Sequence, residues 1–333
     1  MPNSDFNAVL KTVSRSFYLS MRVLPKAMRD PIAIAYLLAR AADTLADTAT
    51  IPTSERLALL LNFKTILNDP NTTQNLSLNT FVNSVNHAGE QKLLNELPAV
   101  FTAYQNLSPM DLNEVKKVVN TLTTGMENDL QYFTKTNKIK ALTDDEALED
   151  YTYHVAGCVG EFWTTLSIIH TPSLSHWQKE KMSQTGIEFG KALQLTNILR
   201  DISKDAALSR CYLPATDLQT HDLNTAMLLD KNNNSDFKPI VTKWLKQADL
   251  YFDSAENYLL SIPRSCLRLR LAALWPILIG LATLKRIREK ENFLDADTNV
   301  KVERKWVYKM LILSIPAAFS NTLLRYWVKS LKQ

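Results

Sequence analysis

Apolar residues recur at steps of three and four along most of the chain, which predicts a succession of helices. Polar and proline clusters interrupt the pattern at 48–54, 68–80, 134–145, 170–175, 214–222 and 231–236, and again near 290–300, so loops are expected there. No shift of composition marks a domain boundary and no repeat is visible, so one domain is expected rather than two or a solenoid. Two of the predicted helices invert the usual amphipathic arrangement. Residues 36–48 read YLLARAADTLADT, a Leu- and Ala-rich helix former in which Tyr36, Arg40, Asp43 and Asp47 lie on one line at steps of four, three and four. Residues 194–205 read QLTNILRDISKD and set Gln194, Asn197, Asp201 and Asp205 on a second such line, with Arg200 beside it.

An ordinary surface helix carries an apolar stripe on a polar background. These two carry a polar stripe on an apolar background, so each is expected to be buried on most sides, with its carboxylates facing a cavity. Like charges four apart destabilise a helix by a few tenths of a kcal/mol, and buried carboxylates cost far more unless a cation meets them. Oxygen donors without sulfur or imidazole suit a hard ion such as Mg²⁺, which takes one or two carboxylates together with substrate phosphate oxygens. Two opposed carboxylate pairs are therefore expected to hold a magnesium-bound diphosphate. A di-iron helix bundle would need Glu-x-x-His on two helices, and that motif does not occur.

Composition narrows the picture further. Seven glycines in 333 residues argue for an all-helical chain, and no GxxxxGK[ST] or GxGxxG phosphate cradle is present. A net charge of +4, with no basic run interleaved with aromatics, argues against nucleic acid as a partner. Cys158, Cys211 and Cys266 are widely spaced and odd in number, which fits a reducing compartment and neither a disulfide frame nor a zinc site. The N-terminal stretch lacks the apolar core of a signal peptide. The apolar run 271–284 is short for a membrane span and holds Pro276 and Gly280. A cytoplasmic protein is expected. The stretch 305–333, rich in Trp, Tyr and Leu and in cations, is expected either to pack as the last helices of the core or to lie peripherally on the inner face of a membrane.

Five segments, in order, resemble the squalene and phytoene synthase family of head-to-head trans-isoprenyl diphosphate synthases: SRSF at 14–17, YLLARAADTLAD at 36–47, YTYHVAGCVG at 151–160, QLTNILRDISKD at 194–205 and RCYLP at 210–214. WPILIGLATL at 275–284 is similar as well. The resemblance implies an all-α, single-domain helical bundle around a deep central cavity, with residues 1–300 as the catalytic domain and 301–333 as a C-terminal basic and aromatic segment. It implies Mg²⁺ bound by Asp43, Asp47, Asn197, Asp201 and Asp205. It places Ser14, Arg15, Phe17, Tyr36, Arg40, Gln194, Arg200 and Arg210 around the substrate diphosphates, and Tyr151 in proton transfer. Lys301 or Arg304 is a further candidate to reach a diphosphate. Tyr151, Val155, Cys158 and Phe162 share a face at α-helical spacing and are expected to form an aromatic and apolar wall that excludes water.

The implied reaction joins two farnesyl diphosphates through presqualene diphosphate and uses NADPH to reach squalene; the chain is most similar to a bacterial squalene synthase and is expected to be monomeric. The DTLAD of the first motif looks more like squalene synthases, whereas RCYLP is closer to the phytoene-type and bacterial pattern than to the eukaryotic squalene type, so dehydrosqualene or phytoene, made without NADPH, is the alternative. A non-catalytic assembly factor of the same fold is a third reading, opposed by the presence of all four aspartates. Lys204 stands in the second motif where the family commonly has an acidic residue.

Overall fold

Leu and Ala at the helix-spaced positions of 26–47 produce a 22-residue helix that buries Met28, Ile32, Leu37, Leu38, Ala41, Ala42 and Leu45. Full burial of each such Leu or Ile is worth about 1.5–3 kcal/mol, which outweighs the strain of two carboxylates on one face. The structure, a computed structural model, describes residues 4–14, 17–69, 78–133, 138–290, 292–295 and 300–332. Arg15 of the predicted site lies outside the described residues, as do parts of the expected loops 68–80, 134–145 and 290–300.

The chain is all-α, as expected, and divides into two compact units: Met1–Thr134 with Phe162–Ser175, and Lys135–Glu161 with His176–Gln333. The first unit contains α1 (Ser4–Val13), α2 (Phe17–Val23), α3 (Lys26–Asp47), α4 (Thr53–Asn68), the single turn α5 (Asn79–Val82), α6 (Ala88–Asn95), α7 (Leu97–Gln105) and α8 (Pro109–Tyr132). Its centre is α3, which packs against α8, α7, α4 and α6. Ser108 starts α8 by accepting the backbone N–H of Asp111 at 3.2 Å.

The chain continues through β1 (Lys140–Leu142), α9 (Asp145–Thr152), a π-helical turn (Tyr153–Gly157), α10 (Cys158–His170), α11 (Lys179–Ala207), β2 (Arg210–Pro214), α12 (Ala215–Thr220), α13 (Asn234–Ser261), α14 (Leu267–Glu289), α15 (Arg304–Ala317) and α16 (Asn321–Lys332). The last nine residues of α10, Phe162–His170, belong to the first unit. In the second unit α11 is central and packs on α13, α14 and the π turn.

Three local departures from the sequence reading follow from packing. The short α12 forms inside the expected loop 214–222, started by the extended backbone of Pro214. RCYLP forms a strand that pairs in parallel with Lys140–Leu142, inside the expected loop 134–145. The helix containing the apolar run 271–284 extends to Leu267–Glu289, long and apolar enough by length and composition to cross a membrane, yet 72% of its most apolar window is buried in the protein. Core packing accounts for its apolar character.

The glycines of the second unit mark close helix approach. A Cβ on Gly160 would lie 1.8 Å from the carbonyl oxygen of Gly186, and one on Gly190 would lie 2.3 Å from that of Ala156. Only hydrogen at these positions lets α11 lie directly against the π turn and the start of α10.

Candidate functional site

The first carboxylate stripe lies on the last turns of α3. Arg40 and Asp43 are each about one-third exposed and form an ion pair with Nη1 to Oδ2 at 2.6 Å, while Asp47 is exposed at the helix end. The second guanidinium nitrogen of Arg40 donates to Glu90 on α6. Burial works against the Arg40 charge, but Asp43 and Glu90 overcome it and hold the guanidinium above its ordinary pKa. Arg40 is thus a fixed cation with its fork spread between two helices.

Upstream on the same line, Tyr36 donates its hydroxyl to the Val13 carbonyl at 3.0 Å and stacks on Phe17 at 5.5 Å between ring centroids. Phe17 also meets Trp163 at 6.4 Å. Phe17, the last residue of the SRSF motif, is therefore held against α3 by ring contact. Ser14 is buried, and its hydroxyl donates to the Leu10 carbonyl at 2.5 Å, closing the end of α1.

Three residues of this stripe's surroundings are not legible as partners in the sequence. Glu90 lies 50 residues from Arg40 in the chain, and Trp163 is remote from both Phe17 and Tyr36. The third is Arg56 of α4, only 5% exposed, whose guanidinium donates to the Ala46 carbonyl and, at 3.0 Å, to Thr53 Oγ1. A helix C-terminus carries partial negative charge, which disfavours carboxylates beside it. Arg56 offsets that charge one residue before Asp47, and so positions the end of the stripe. Arg56→Met is expected to raise the Mg²⁺ concentration for half-maximal activity with a smaller change in kcat at saturating Mg²⁺, and Arg56→Lys to recover part of the loss. Equal kcat loss at all Mg²⁺ concentrations would assign Arg56 to stability alone.

The second stripe lies on α11. Asp201 accepts from Arg200 through Nε at 3.0 Å and Nη2 at 2.5 Å on one oxygen, and from Lys204 at 2.8 Å on the other. Burial pushes the Asp201 carboxyl up, but Arg200 and Lys204 outweigh it and hold the pKa below the ordinary value. Asn197 donates to Gln194 Oε1 at 3.4 Å one turn earlier, and Asp205 is half-buried one turn later. Lys204, the residue that departs from the family pattern, is half exposed and competes with any metal for Asp201. Exposed pairs of this kind are worth about 0.2–1 kcal/mol. Lys204→Gln is therefore expected to lower the Mg²⁺ concentration for half-maximal activity by about 1.4- to 5-fold, read from Mg²⁺ titrations of turnover. An unchanged or higher requirement would show that Lys204 aids binding instead.

Tyr151, at the end of α9, stacks on Tyr212 of β2 at 4.5 Å between centroids. Arg210 opens β2 and pairs in register with Lys140, directly after Ser209, which turns the chain with φ 63°. The expected face of Tyr151, Val155, Cys158 and Phe162 is not continuous. The π turn at 153–157 has a wider spacing than an α-helix, so α-helical periodicity does not run through it. Cys158 and Phe162 are buried in the core, while the π turn directs Tyr153 to donate to Glu161 at 3.2 Å. Burial, then Glu161, push the Tyr153 hydroxyl up to about 12.

Among the described residues, no group of three or more His, Cys, Asp or Glu assembles as a complete metal cage. Mg²⁺ does not require one, because water and substrate phosphate oxygens fill most of its shell. Two carboxylates per stripe, backed by arginine and without sulfur or imidazole, are a donor set that fits this ion.

Residues 10–306 match the family described as squalene/phytoene synthase. A bifunctional lycopene cyclase/phytoene synthase of Arthroderma gypseum is 29% identical over 77% of this chain and 42% of its own length. A squalene synthase of Candida albicans is 28% identical over 62% of this chain and 44% of its own. The chain thus spans less than half the length of these curated relatives. Among solved structures, TcSQS in complex with the ligand E5700 superposes with a TM-score of 0.79 at 22% identity, over 98% of this chain and 90% of the other. A dehydrosqualene synthase in complex with a ligand gives 0.65 at 23%, over 98% and 97%. These two likenesses are of fold. With the match extending over nearly the whole chain and across both carboxylate stripes, the protein belongs to the squalene/phytoene synthase family, a family of head-to-head prenyltransferases.

Proposed function

We propose that this protein condenses two molecules of farnesyl diphosphate to presqualene diphosphate and then, with NADPH, converts it to squalene. The observation that carries the reading is the pair of carboxylate stripes, each backed by an arginine, on a chain of this family. Asp43 and Asp47 on one helix, and Asp201, Asp205 and Asn197 on the other, are the residues that would hold Mg²⁺. When bound, that ion supplies Lewis-acid stabilisation of the leaving diphosphate, worth several kcal/mol. Arg40 and Arg200 would receive phosphate oxygens in place of the carboxylates they now bind.

Departure of one diphosphate leaves an allylic cation, which the double bond of the second farnesyl chain attacks; loss of a proton closes the cyclopropane. Tyr151, on its Tyr212 platform, is our candidate for the path of that proton. Arg210 and the Phe17–Tyr36 stack are placed at the substrate by the same reading. All seven glycines lie within helices, so the protein has no glycine-loop dinucleotide cradle. Dehydrosqualene or phytoene is the second reading, favoured by RCYLP and by phytoene synthases among the relatives, including one from Daucus carota 29% identical over 65% of this chain. We also propose a monomer in the cytoplasm, where Cys158, Cys211 and Cys266 remain reduced.

The test is incubation of the purified protein with farnesyl diphosphate and Mg²⁺, with and without NADPH, followed by mass identification of extracted products. Squalene only with NADPH supports the proposal. Dehydrosqualene in both reactions, or no C30 product but phytoene in a parallel incubation with the C20 diphosphate, would replace it with the second reading.

A further inference from the structure

Of the large apolar side chains that are exposed among the described residues, seven of twelve fall between Tyr308 and Tyr326, which makes them one patch rather than scattered surface residues. The patch lies on the hairpin of α15 and α16. The direction of each helix follows from its contacts with α14. Arg286 meets Lys301 and Glu303, and Trp275 Nε1 donates to Ser314 at 2.8 Å, so α15 runs antiparallel to α14. Arg270 meets Asn321 Oδ1 at 2.7 Å and Arg288 meets the Lys332 carbonyl at 3.4 Å, so α16 returns parallel to it. The turn of the hairpin, 318–320, therefore lies at the Arg270 end of α14.

The hairpin is firmly seated. Met310, Ser314, Ala317, Leu324 and Val328 are buried. Arg270, fully buried, also donates to the Ile262 carbonyl at 2.6 Å and so ties the start of α16 to the end of α13. With its inner face satisfied, the hairpin leaves Ile312 70%, Leu313 46%, Ile315 50%, Phe319 54%, Leu323 53% and Tyr326 75% exposed. The two expectations for the 305–333 stretch are thus compatible: one face packs as core and the other faces outward.

The charge around the patch selects its occupant. Arg304, Lys305, Lys309, Arg325 and Lys329 are exposed on the same two helices, against the single acid Glu303, which is paired with Arg286. Arg264, exposed in the 262–266 turn, lies close enough to Arg270 to repel it, at the apolar end. A second copy using the same face would bring cations against cations. A surface of anionic headgroups over an apolar interior matches both parts.

We propose that the α15–α16 hairpin docks this protein on an anionic lipid bilayer, inserting the apolar surface around residues 312–326 while the surrounding Arg and Lys side chains meet the headgroups. This goes beyond the catalytic reading and is tested without turnover. The full chain is floated with vesicles of phosphatidylcholine alone and of phosphatidylcholine with phosphatidylglycerol, and its oligomeric state is measured without lipid. Binding is expected to the anionic vesicles, to weaken in high salt, and to fall at least tenfold in the Ile312→Asp, Phe319→Asp double variant. Leu61→Asp, a substitution of an exposed leucine on α4, should retain it. Circular dichroism and the melting temperature check that the double variant is folded. No flotation of the wild type, flotation unaffected by the double variant, or a dimer that the double variant dissociates would each overturn the proposal.

Discussion

Asp43→Asn is expected to reduce kcat/KM by about a thousandfold or more while leaving the fold intact. Asparagine keeps the size and one oxygen but removes the charge. A divalent ion on the leaving diphosphate contributes several kcal/mol to the transition state, and each 1.4 kcal/mol is tenfold in rate. The loss is expected chiefly in catalysis because Asp43 is about one-third exposed, and substitutions at such surface positions usually shift stability by less than about 0.5 kcal/mol. Arg40 retains Glu90 as its partner, so the variant does not strand a cation. Asp201→Asn should behave alike, and there Arg200 and Lys204 both lose their acceptor charge. The measurement is turnover of farnesyl diphosphate across a Mg²⁺ titration, with the melting temperature as control. Activity within tenfold of wild type for both variants would remove the carboxylate stripes from the chemistry, whereas no turnover by the wild type itself would favour the non-catalytic reading.

Gly160→Ala is expected to be the most destabilising of the small glycine substitutions, by about 3 kcal/mol or more, the upper end for overpacking a core. The added methyl would lie 1.8 Å from the Gly186 carbonyl oxygen and 2.4 Å from its carbon, both backbone atoms of the facing helix, so relief requires the helices to separate. Gly190→Ala, at 2.3 Å from the Ala156 oxygen, should follow closely. Gly157→Ala supplies the contrast. Its methyl would meet Ile187 and Tyr153 side chains at 3.1 and 3.2 Å, which can yield, and alanine recovers about 1 kcal/mol of helix propensity. Urea unfolding should rank Gly160→Ala and Gly190→Ala well below wild type, with Gly157→Ala near it. The first two also separate α11, which carries Asp201 and Asp205, from the π turn that follows Tyr151, so activity should fall before global unfolding does. Equal stability of all three variants would mean that the helices do not make this close approach.

The part of the site legible in the sequence is the part written locally. Carboxylates four apart on a Leu- and Ala-rich helix share a face by helical geometry alone, and the structure puts Asp43 with Arg40 and Asp201 with Arg200 through contacts of one to three residues in sequence. Lys204 reaches Asp201 by the same local rule. Gly157 and Gly160 sit inside helical structure, where glycine is costly, and their partners Gly186 and Ile187 on α11 could be named only once the helices were assembled.

By itself, then, the sequence determined the helices, the two carboxylate stripes and the family motifs, because hydrophobic period and i, i+4 spacing act within a few residues. Only the tertiary structure decided which distant groups complete them: Glu90 holding Arg40, Arg56 closing the helix before Asp47, Tyr212 under Tyr151, and the π turn that breaks the expected wall. It also decided that the C-terminal hairpin is at once packed and exposed, since whether an apolar side chain is covered depends on what the rest of the chain brings to it.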